Sequence, residues 1–514
     1  MQQQKLEDVH SSDDAAKRIW AHLLIASCAI ALSGYMLCTT DQILWGHGYG
    51  MDGWIYGEMT EKLWEKIEKR EISRYYFNRI APCIATNGIL YALNLPPVRE
   101  NIIWGFRIGN CLLCILGTVI WIRLSEEFKL KPDTIIAGWL SLFGSFFTGR
   151  LLAYYPVLTD GYAVVLGLLM VWLSTSRRVT FLFLVSLASG FTWPHAHLFG
   201  AVLILLTTIR VTRQVDQPTK LPRFPTKLFL LMTVVSGVII AGTFIRCGFS
   251  PEARMQGIRV GTVRRICSHV PNIFVLGYAI FTIIQKLTSL SAFSLFTWRK
   301  PIHGLILSIT LIFAHKFILT QWANPEIPPP STVSPVLSTL TLGAGGDGQI
   351  FGTMATHIWM AGPLCIFAAC RWRQIVDAIE INLPINLGIV LTIAAWLQPE
   401  TRYAMICLPF AVVAVCKGLS TVEANFQVRL CFLISWCYFS GFWRTINPSV
   451  VVDGTFQVID SSVPAAWNAA AFEMLRIIGS HRGFTWPDYF WHIGTSAASA
   501  VAAWSTLKYA NECR

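Results

Sequence analysis

The feature that most constrains this chain is a succession of apolar runs, most of them close to the length of a membrane-crossing helix. A helix needs about 20 apolar residues to cross the roughly 30 Å hydrocarbon core of a bilayer. The runs lie near residues 19–39, 102–122, 134–148, 161–174, 180–193, 197–209, 228–245, 271–288, 303–320, 351–370, 384–398, 403–416 and 428–445, with a weaker one near 492–507. The sequence therefore predicts an all-α integral membrane protein with about 13–14 transmembrane helices.

Composition supports the same class. The chain is 54% hydrophobic and 14% charged, whereas soluble domains are about 25% charged. The net charge of +12 comes from 41 Lys and Arg against 29 Asp and Glu. These bases lie in loops between apolar runs and form no basic tract interleaved with aromatic residues. They therefore indicate membrane orientation and contact with membrane lipids, and we expect no nucleic-acid partner.

The basic residues also predict how the chain is organised across the membrane. Lys17 and Arg18 precede the first run, so the N-terminal tail is expected in the cytoplasm. The predicted parts are a cytoplasmic tail (1–18), a transmembrane bundle (19–445), an outer segment (446–491) and a possible last helix with a tail (492–514). Within the bundle, outer loops are expected at 40–101, 149–160 and 321–350.

An amphipathic segment lies in the long first outer loop. Ile55, Met59, Leu63 and Ile67 follow one another at intervals of four residues, while charged residues occupy the other faces. This spacing predicts a helix that lies on the membrane surface instead of crossing it.

Ionisable and aromatic side chains gather at the predicted outer ends of the helices. They are Asp41, Asp52, Glu58, Arg74, Arg79, Arg150, Asp160, His195, His197, Glu400, Arg402 and Tyr403. Charged groups at such positions are costly to hold, which makes them candidates for function. Asp52 begins the amphipathic helix, where its carboxylate could accept a proton from a hydroxyl or simply cap the helix. Arg150 and Asp160 could form an ordinary ion pair across their loop or contact a ligand.

Two further motifs carry candidate residues. The turn FTWPHAH contains Trp193, His195 and His197, and two histidines without a carboxylate make a weak metal site. The segment QPETRYAMICLPF contains Glu400, Arg402 and Tyr403. Arginine can hold a phosphate with two hydrogen bonds, although a Glu–Arg pair could equally anchor the helix end. The sequence contains no GxxxxGK[ST], HExxH or GxSxG motif, so ATP-driven transport, zinc proteolysis and serine hydrolysis have no signature.

The order and sidedness of these motifs resemble the superfamily of multispanning glycosyltransferases with the GT-C fold, particularly its bacterial members. The resemblance covers roughly residues 15–210 and again the region around 400. Asp52 stands where that family has its first-loop acid, with Glu58 six residues later in place of an adjacent second acid. RYYFNRIAPCIA, which contains Arg79, resembles the Arg-rich entry to the second span. The segment from Arg150 to Asp160 resembles the second acidic loop.

The resemblance implies a GT-C-like bundle that moves a sugar from a polyprenyl-phosphate donor to a hydroxyl of a glycan, lipid or protein acceptor, with inversion, on the outer face. The implied catalytic residues are Asp52, Asp160 and Glu58. The implied donor-binding residues are Arg79, Arg150, Trp193, His195, His197, Glu400, Arg402 and Tyr403. The lone first-loop acid favours metal-independent transfer over use of a divalent cation, and no other cofactor is implied. The bacterial inner membrane is favoured, with the endoplasmic reticulum as the alternative, and the site would face the periplasm or lumen.

Two other functions use the same residues. A transporter or flippase of a lipid-linked or polar solute would use buried charges as a pathway, but it should place ionisable groups near mid-span. A ligase or polymerase that joins preassembled saccharides would differ only in its acceptor.

Overall fold

The computed structural model describes residues 2–38, 49, 51–145, 148–149, 152–209, 277, 282–283, 299–324, 368, 372–379, 382–395, 404–421, 449–452 and 455–458. Over these residues the chain is helical, apart from one antiparallel hairpin of β1 (Ser449–Val452) and β2 (Thr455–Val458). The hairpin lies in the predicted outer segment and corrects the all-α prediction there. The predicted spans at 228–245, 271–288, 351–370, 428–445 and 492–507 and the outer loop at 321–350 lie wholly or largely outside the described residues.

In chain order the helices are α1 (Gln2–Cys38), α2 (Met51–Glu61), α3 (Leu63–Glu68), α4 (Arg74–Phe77), α5 (Ala81–Ala92), α6 (Arg99–Glu127), α7 (Pro132–Phe143), α8 (Leu152–Tyr154), α9 (Asp160–Thr175), α10 (Val179–Gly190), α11 (Ala196–Thr208), α12 (Arg299–Trp322), α13 (Trp372–Ala378), α14 (Leu383–Ala395) and α15 (Leu408–Ser420). In the described part of the chain, three segments are long and apolar enough to cross a membrane: Ala15–Cys38, Arg99–Glu127 and Ile302–Trp322. Helices α9, α10, α11, α14 and α15 are apolar but shorter. The helical character is thus confirmed for these residues, and the number of 13–14 spans stays a prediction.

Helices α10 and α11 are too short to cross a bilayer by themselves. They contain 12 and 13 residues, or about 18–20 Å of helix, against a hydrocarbon core of about 30 Å. The first outer loop packs against the turn that joins them, where the backbone N–H of Ala81 donates to the carbonyl of Phe191 (2.9 Å). The turn is therefore covered by protein, which is the condition under which irregular backbone is tolerated at membrane depth.

The predicted surface helix is two helices, α2 and α3, and it is covered by protein on its apolar side. Met59 and Leu63 are buried as the spacing predicts, but the neighbouring buried residue is Tyr56, and Ile55 and Ile67 are only half-buried. The unpredicted helix α5 supplies the covering surface. The Cys83 thiol on α5 donates to the carbonyl of Tyr56 (3.6 Å). An interior thiol in this position is hard to ionise, and burial raises the pKa of Cys83 to about 12.

The opposite end of the bundle carries the bases of the short connections. The Ser176 hydroxyl at the end of α9 lies 3.5 Å from a carboxylate oxygen of Glu127 at the end of α6, so both helices end on the same side. The basic residues at this end are Arg123 in the last turns of α6 and, in the connections, Lys129, Lys131, Arg177 and Arg178. Under the positive-inside rule, this is the end expected in the cytoplasm.

Helix α15, from the C-terminal part of the chain, packs against the same end of the bundle. The Lys417 ammonium of α15 donates to the carbonyl of Phe128 (2.9 Å), which satisfies a backbone group at the C-terminus of α6. The predicted span 403–416 is displaced, because residues 404–407 form a turn and the helix begins at Leu408. The turn lies against Gly167 of α9, where any side chain would meet the carbonyl oxygen of Ile406.

This close approach predicts opposite outcomes for two glycine substitutions. Gly167→Ala should lower the free energy of unfolding by about 1–3 kcal/mol, because the added methyl group meets backbone that cannot rotate away. Gly88→Ala on α5 meets no atom within 4 Å, and it should raise that free energy by about 0.5–1 kcal/mol through helix propensity. Thermal melts of the purified variants in detergent test the pair. Equal melting temperatures would contradict the close packing of residues 404–407 on α9.

Candidate functional site

The structure brings α2 and the second outer loop into direct contact. The backbone N–H of Gly53 donates to the hydroxyl of the buried Tyr155 (2.9 Å). A Cβ at Gly53 would lie 3.2 Å from the carbonyl oxygen of Val157, so only glycine fits this approach comfortably. Asp52 precedes Gly53 in α2 and is thereby placed beside the loop that leads to Asp160, although its side chain lies outside the described residues.

Asp160 is the first residue of α9, and its side chain is 1% exposed. A carboxylate at the N-terminus of a helix is stabilised by the helix dipole. The loop before it is fixed to α6, because the Asn110 amide donates to the carbonyl of Pro156 (3.0 Å). The second predicted acid is therefore held at a defined position, at the same end of the bundle as α2.

Arg79 lies at the centre of an arginine–aromatic cluster, which we define as Tyr56, Tyr75, Arg79 and Trp193. The Arg79 side chain is 2% exposed, and its Nη1 donates to the Tyr56 hydroxyl (2.7 Å). Its guanidinium carbon is 4.7 Å from the ring centroid of Tyr75 and 5.5 Å from that of Trp193. The negative faces of aromatic rings attract a cation at these distances. The cluster therefore holds a fixed positive charge where the first outer loop meets the α10–α11 turn.

The predicted role of Trp193 changes with this geometry. Trp193 is 3% exposed, so in this conformation its ring contacts Arg79 and is closed to a sugar. The sequence does not indicate Tyr56 and Tyr75, because tyrosines near a membrane surface are common without any specific role. The segments GWIYGEM and SRYYFNR place these tyrosines beside a glycine and an arginine. That composition points to an arginine–aromatic cluster only when the two segments are known to be in contact.

The two histidines of the turn, His195 and His197, have different surroundings. His195 is exposed and has a left-handed backbone conformation (φ 64°). The ring of His197 instead stacks on that of His315 from α12, with centroids 3.6 Å apart and planes inclined by 13°. The Nε2 atom of the buried His315 donates to the carbonyl of Gly190 (3.2 Å). His315 lies in a predicted span without any neighbouring polar motif, so the sequence did not indicate it.

The remaining candidates fall into two groups. Glu58 lies on the exposed side of α2 and forms an ion pair with Lys66 (2.7 Å), away from the arginine–aromatic cluster. Arg150, Glu400, Arg402 and Tyr403 lie outside the described residues. Within the described ranges, no three His, Cys, Asp or Glu side chains are grouped closely enough to hold a metal ion.

Comparison of the chain with protein-family models, curated proteins and solved structures gives no significant match. The function must therefore be inferred from the residues themselves. The buried Asp160, the buried cation Arg79 and the backbone of Asp52 come from two predicted outer loops and lie at one end of the bundle.

The buried hydrogen bond at Arg79 predicts a specific loss of stability. Tyr56→Phe removes the acceptor while keeping the ring, so the free energy of unfolding should fall by about 1.5–3 kcal/mol, as expected for a hydrogen bond to a charged group. Tyr91→Phe is the matched control, because Tyr91 is 87% exposed. Chemical or thermal unfolding in detergent gives the comparison. If Tyr56→Phe has the same melting temperature as Tyr91→Phe and the wild type, the Tyr56 hydroxyl does not stabilise Arg79.

Proposed function

We propose that the protein is a membrane glycosyltransferase that transfers a sugar from a polyprenyl-phosphate donor to an acceptor hydroxyl at the outer end of the bundle. One observation carries the proposal. The start of α2 with Asp52, the loop before Asp160, and the arginine–aromatic cluster are fixed against one another at the same end of the bundle. The resemblance to GT-C enzymes supports the choice of donor, and the apolar helices support a lipid-borne one.

The proposed reaction is a single displacement. The Asp52 carboxylate takes the proton of the acceptor hydroxyl, whose oxygen attacks the anomeric carbon. The bond from that carbon to the phosphate oxygen breaks, and the lipid phosphate leaves with the bonding electron pair. The new bond forms on the opposite face of the sugar, so the anomeric configuration inverts.

The cations divide into two roles. Arg79 is enclosed by Tyr56, Tyr75 and Trp193, so it would act as a fixed charge that favours the departing phosphate without gripping it. Arg150 and Arg402 remain the proposed phosphate ligands, because a planar guanidinium can hold two phosphate oxygens at once. Asp160 would complete the site by binding the sugar or the acceptor through its carboxylate.

A transporter or flippase is the second candidate, and one observation favours it. Arg107 on α6 and His315 on α12 are both buried and lie in segments long and apolar enough to cross a membrane, where a transport pathway would need ionisable groups. Purified protein in liposomes separates the two functions. A transferase forms a new glycosidic bond from a polyprenyl-phosphate sugar and an acceptor, whereas a transporter moves the labelled lipid or solute and leaves it chemically unchanged.

Asp52 gives the most direct test of the reaction. Asp52→Asn keeps the size of the side chain but removes the proton acceptor, so turnover should fall by about 10²-fold or more. Glu61→Gln is the matched control on the same helix, because Glu61 is exposed and has no proposed role. The assay measures initial rates with a panel of polyprenyl-phosphate sugars. An Asp52→Asn rate within a few-fold of the wild-type and Glu61→Gln rates would exclude Asp52 as the base.

Sidedness gives an independent test. In a cysteine-free background, Glu71→Cys should react with an impermeant thiol reagent added outside intact cells, and Arg178→Cys should react only after permeabilisation. Both positions are exposed, and they lie at opposite ends of the bundle. The reverse pattern would place the proposed site in the cytoplasm and contradict a periplasmic or luminal reaction.

A further inference from the structure

Arg107 is a buried cation that the proposed reaction does not use. It lies in α6, within a segment long and apolar enough to cross a membrane, and it is 3% exposed. Its Nε and Nη2 atoms have no hydrogen-bond partner in the part of the chain that the structure describes. The guanidinium carbon lies 5.6 Å from the ring centroid of Trp104, one turn nearer the outer end of the helix.

An arginine in this environment requires a counter-charge. The guanidinium stays protonated at any physiological pH, so burial cannot be relieved by losing the proton. Removing such a charge from water without a partner costs several kcal/mol, and ionisable residues inside membrane proteins are accordingly paired or functional. Nothing on the described neighbouring elements supplies an anion to the two unpartnered nitrogens of Arg107.

Arg107 lies one helical turn from a direct contact between α6 and α1. Cys111, one turn further along α6, donates through its thiol to the carbonyl of Ser33 on α1 (3.4 Å). The Ser33 hydroxyl is likewise buried and lies beside the thiols of Cys111 and Cys114. A buried guanidinium on α6 and a buried hydroxyl on α1 are thus separated by about one helical turn. Trp104 is 45% exposed beside them, on the side of α6 that faces away from the bundle.

The depth of Arg107 indicates which anion is available. Helix α6 has 29 residues, so it is about 43 Å long and exceeds the roughly 30 Å hydrocarbon core. Arg107 lies eight residues from Arg99, which is about 12 Å along the helix. If the helix is centred in the bilayer, the guanidinium lies only a few ångströms below the headgroups. Phosphate is the anion at that level, and the planar fork of arginine suits it.

We propose that Arg107 binds the phosphate of a membrane lipid that enters between α1 and α6. The ligand chemistry is a phosphate monoester or diester carried on an apolar tail, with the Ser33 hydroxyl as a second donor. Two sources share this chemistry, a glycerophospholipid and a polyprenyl phosphate. The inference does not depend on the proposed transferase activity, because either lipid would satisfy the charge.

The first experiment compares phosphorylated and phosphate-free probes on the full chain, purified and stripped of lipid in detergent. The probes are farnesyl phosphate with farnesol, and dihexanoyl phosphatidylglycerol with dihexanoylglycerol. At least one phosphorylated probe should raise the melting temperature at a concentration tenfold or more below that of its phosphate-free counterpart. A response to farnesyl phosphate alone assigns the site to a polyprenyl phosphate, and a response to phosphatidylglycerol identifies a glycerophospholipid site. Equal responses within both pairs would overturn the proposal.

Substitutions at Arg107 test the charge itself. Arg107→Met removes the cation but keeps the length of the side chain, so the lipid-free variant should melt above the wild type, since an uncompensated buried charge is lost. It should also lose the phosphate-specific response. Arg107→Lys keeps the charge without the fork and should weaken that response several-fold. Arg123→Met is the control on the same helix, because Arg123 is exposed and paired with Glu126 (3.5 Å), and it should respond as the wild type does.

An internal partner would give a different pattern. Asp41 follows the end of α1 by three residues in the sequence. If its carboxylate neutralised Arg107, Arg107→Met and Asp41→Asn would both melt below the wild type, and neither the wild type nor Arg123→Met would respond to phosphate. That result would overturn the proposal. The probe comparison on the wild type and the Arg107→Lys variant keep the test decisive if Arg107→Met does not fold.

Discussion

The arrangement of this end of the bundle depends on the contact between the segment from α4 to α5 and the turn that joins α10 and α11. Helices α10 and α11 are shorter than a helix that crosses a bilayer, and the segment from α4 to α5 packs against the turn that joins them. The Ala81–Phe191 hydrogen bond fixes the backbone of that segment, and Arg79 fixes its side chains through Tyr56 and Trp193. A buried guanidinium is tolerated here because a hydroxyl and two aromatic faces surround it. Together with the hydrogen bond from Gly53 to Tyr155, these contacts set the position of α2 relative to the loop before α9.

The sequence predicts single helices better than it predicts which helices pack against one another. Hydropathy finds the spans that correspond to α1, α6 and α12, and the four-residue spacing correctly places Met59 and Leu63 on a buried face. The sequence does not show what covers that face, because the covering helix α5 has no periodic pattern that distinguishes it from a loop. For the same reason the sequence predicts that α2 and α3 contact lipid, whereas in the structure α5 packs against them.

The candidate site shows the same division. The sequence indicates Arg79, Asp160 and Trp193 because each lies near the end of an apolar run, and the structure brings their segments to one end of the bundle. The partners that give them a physical role, Tyr56 and Tyr75, come from other segments and have no motif of their own. His197 finds its ring partner 118 residues away in His315, in the interior of an apolar helix. The sequence does not indicate Arg107, because a single charge in an apolar run scarcely changes the mean hydropathy. What distinguishes it in the structure is that two of its buried nitrogens have no hydrogen-bond partner among the described residues.

The bond between Lys417 and Phe128 has a consequence for how the protein is made. The two residues are 289 positions apart, and translation at about 5–20 residues per second separates their synthesis by roughly 15–60 s. During that interval the end of α6 has left the ribosome while the ammonium group that satisfies its carbonyl does not yet exist. The backbone N–H of Lys131 likewise donates to the hydroxyl of Ser420, which is synthesised after the same delay. This end of the early helices therefore lacks its covering helix until α15 has been synthesised. A chain truncated before α15 would keep both backbone groups without these partners, which gives quality control a structural feature by which to recognise an unfinished molecule.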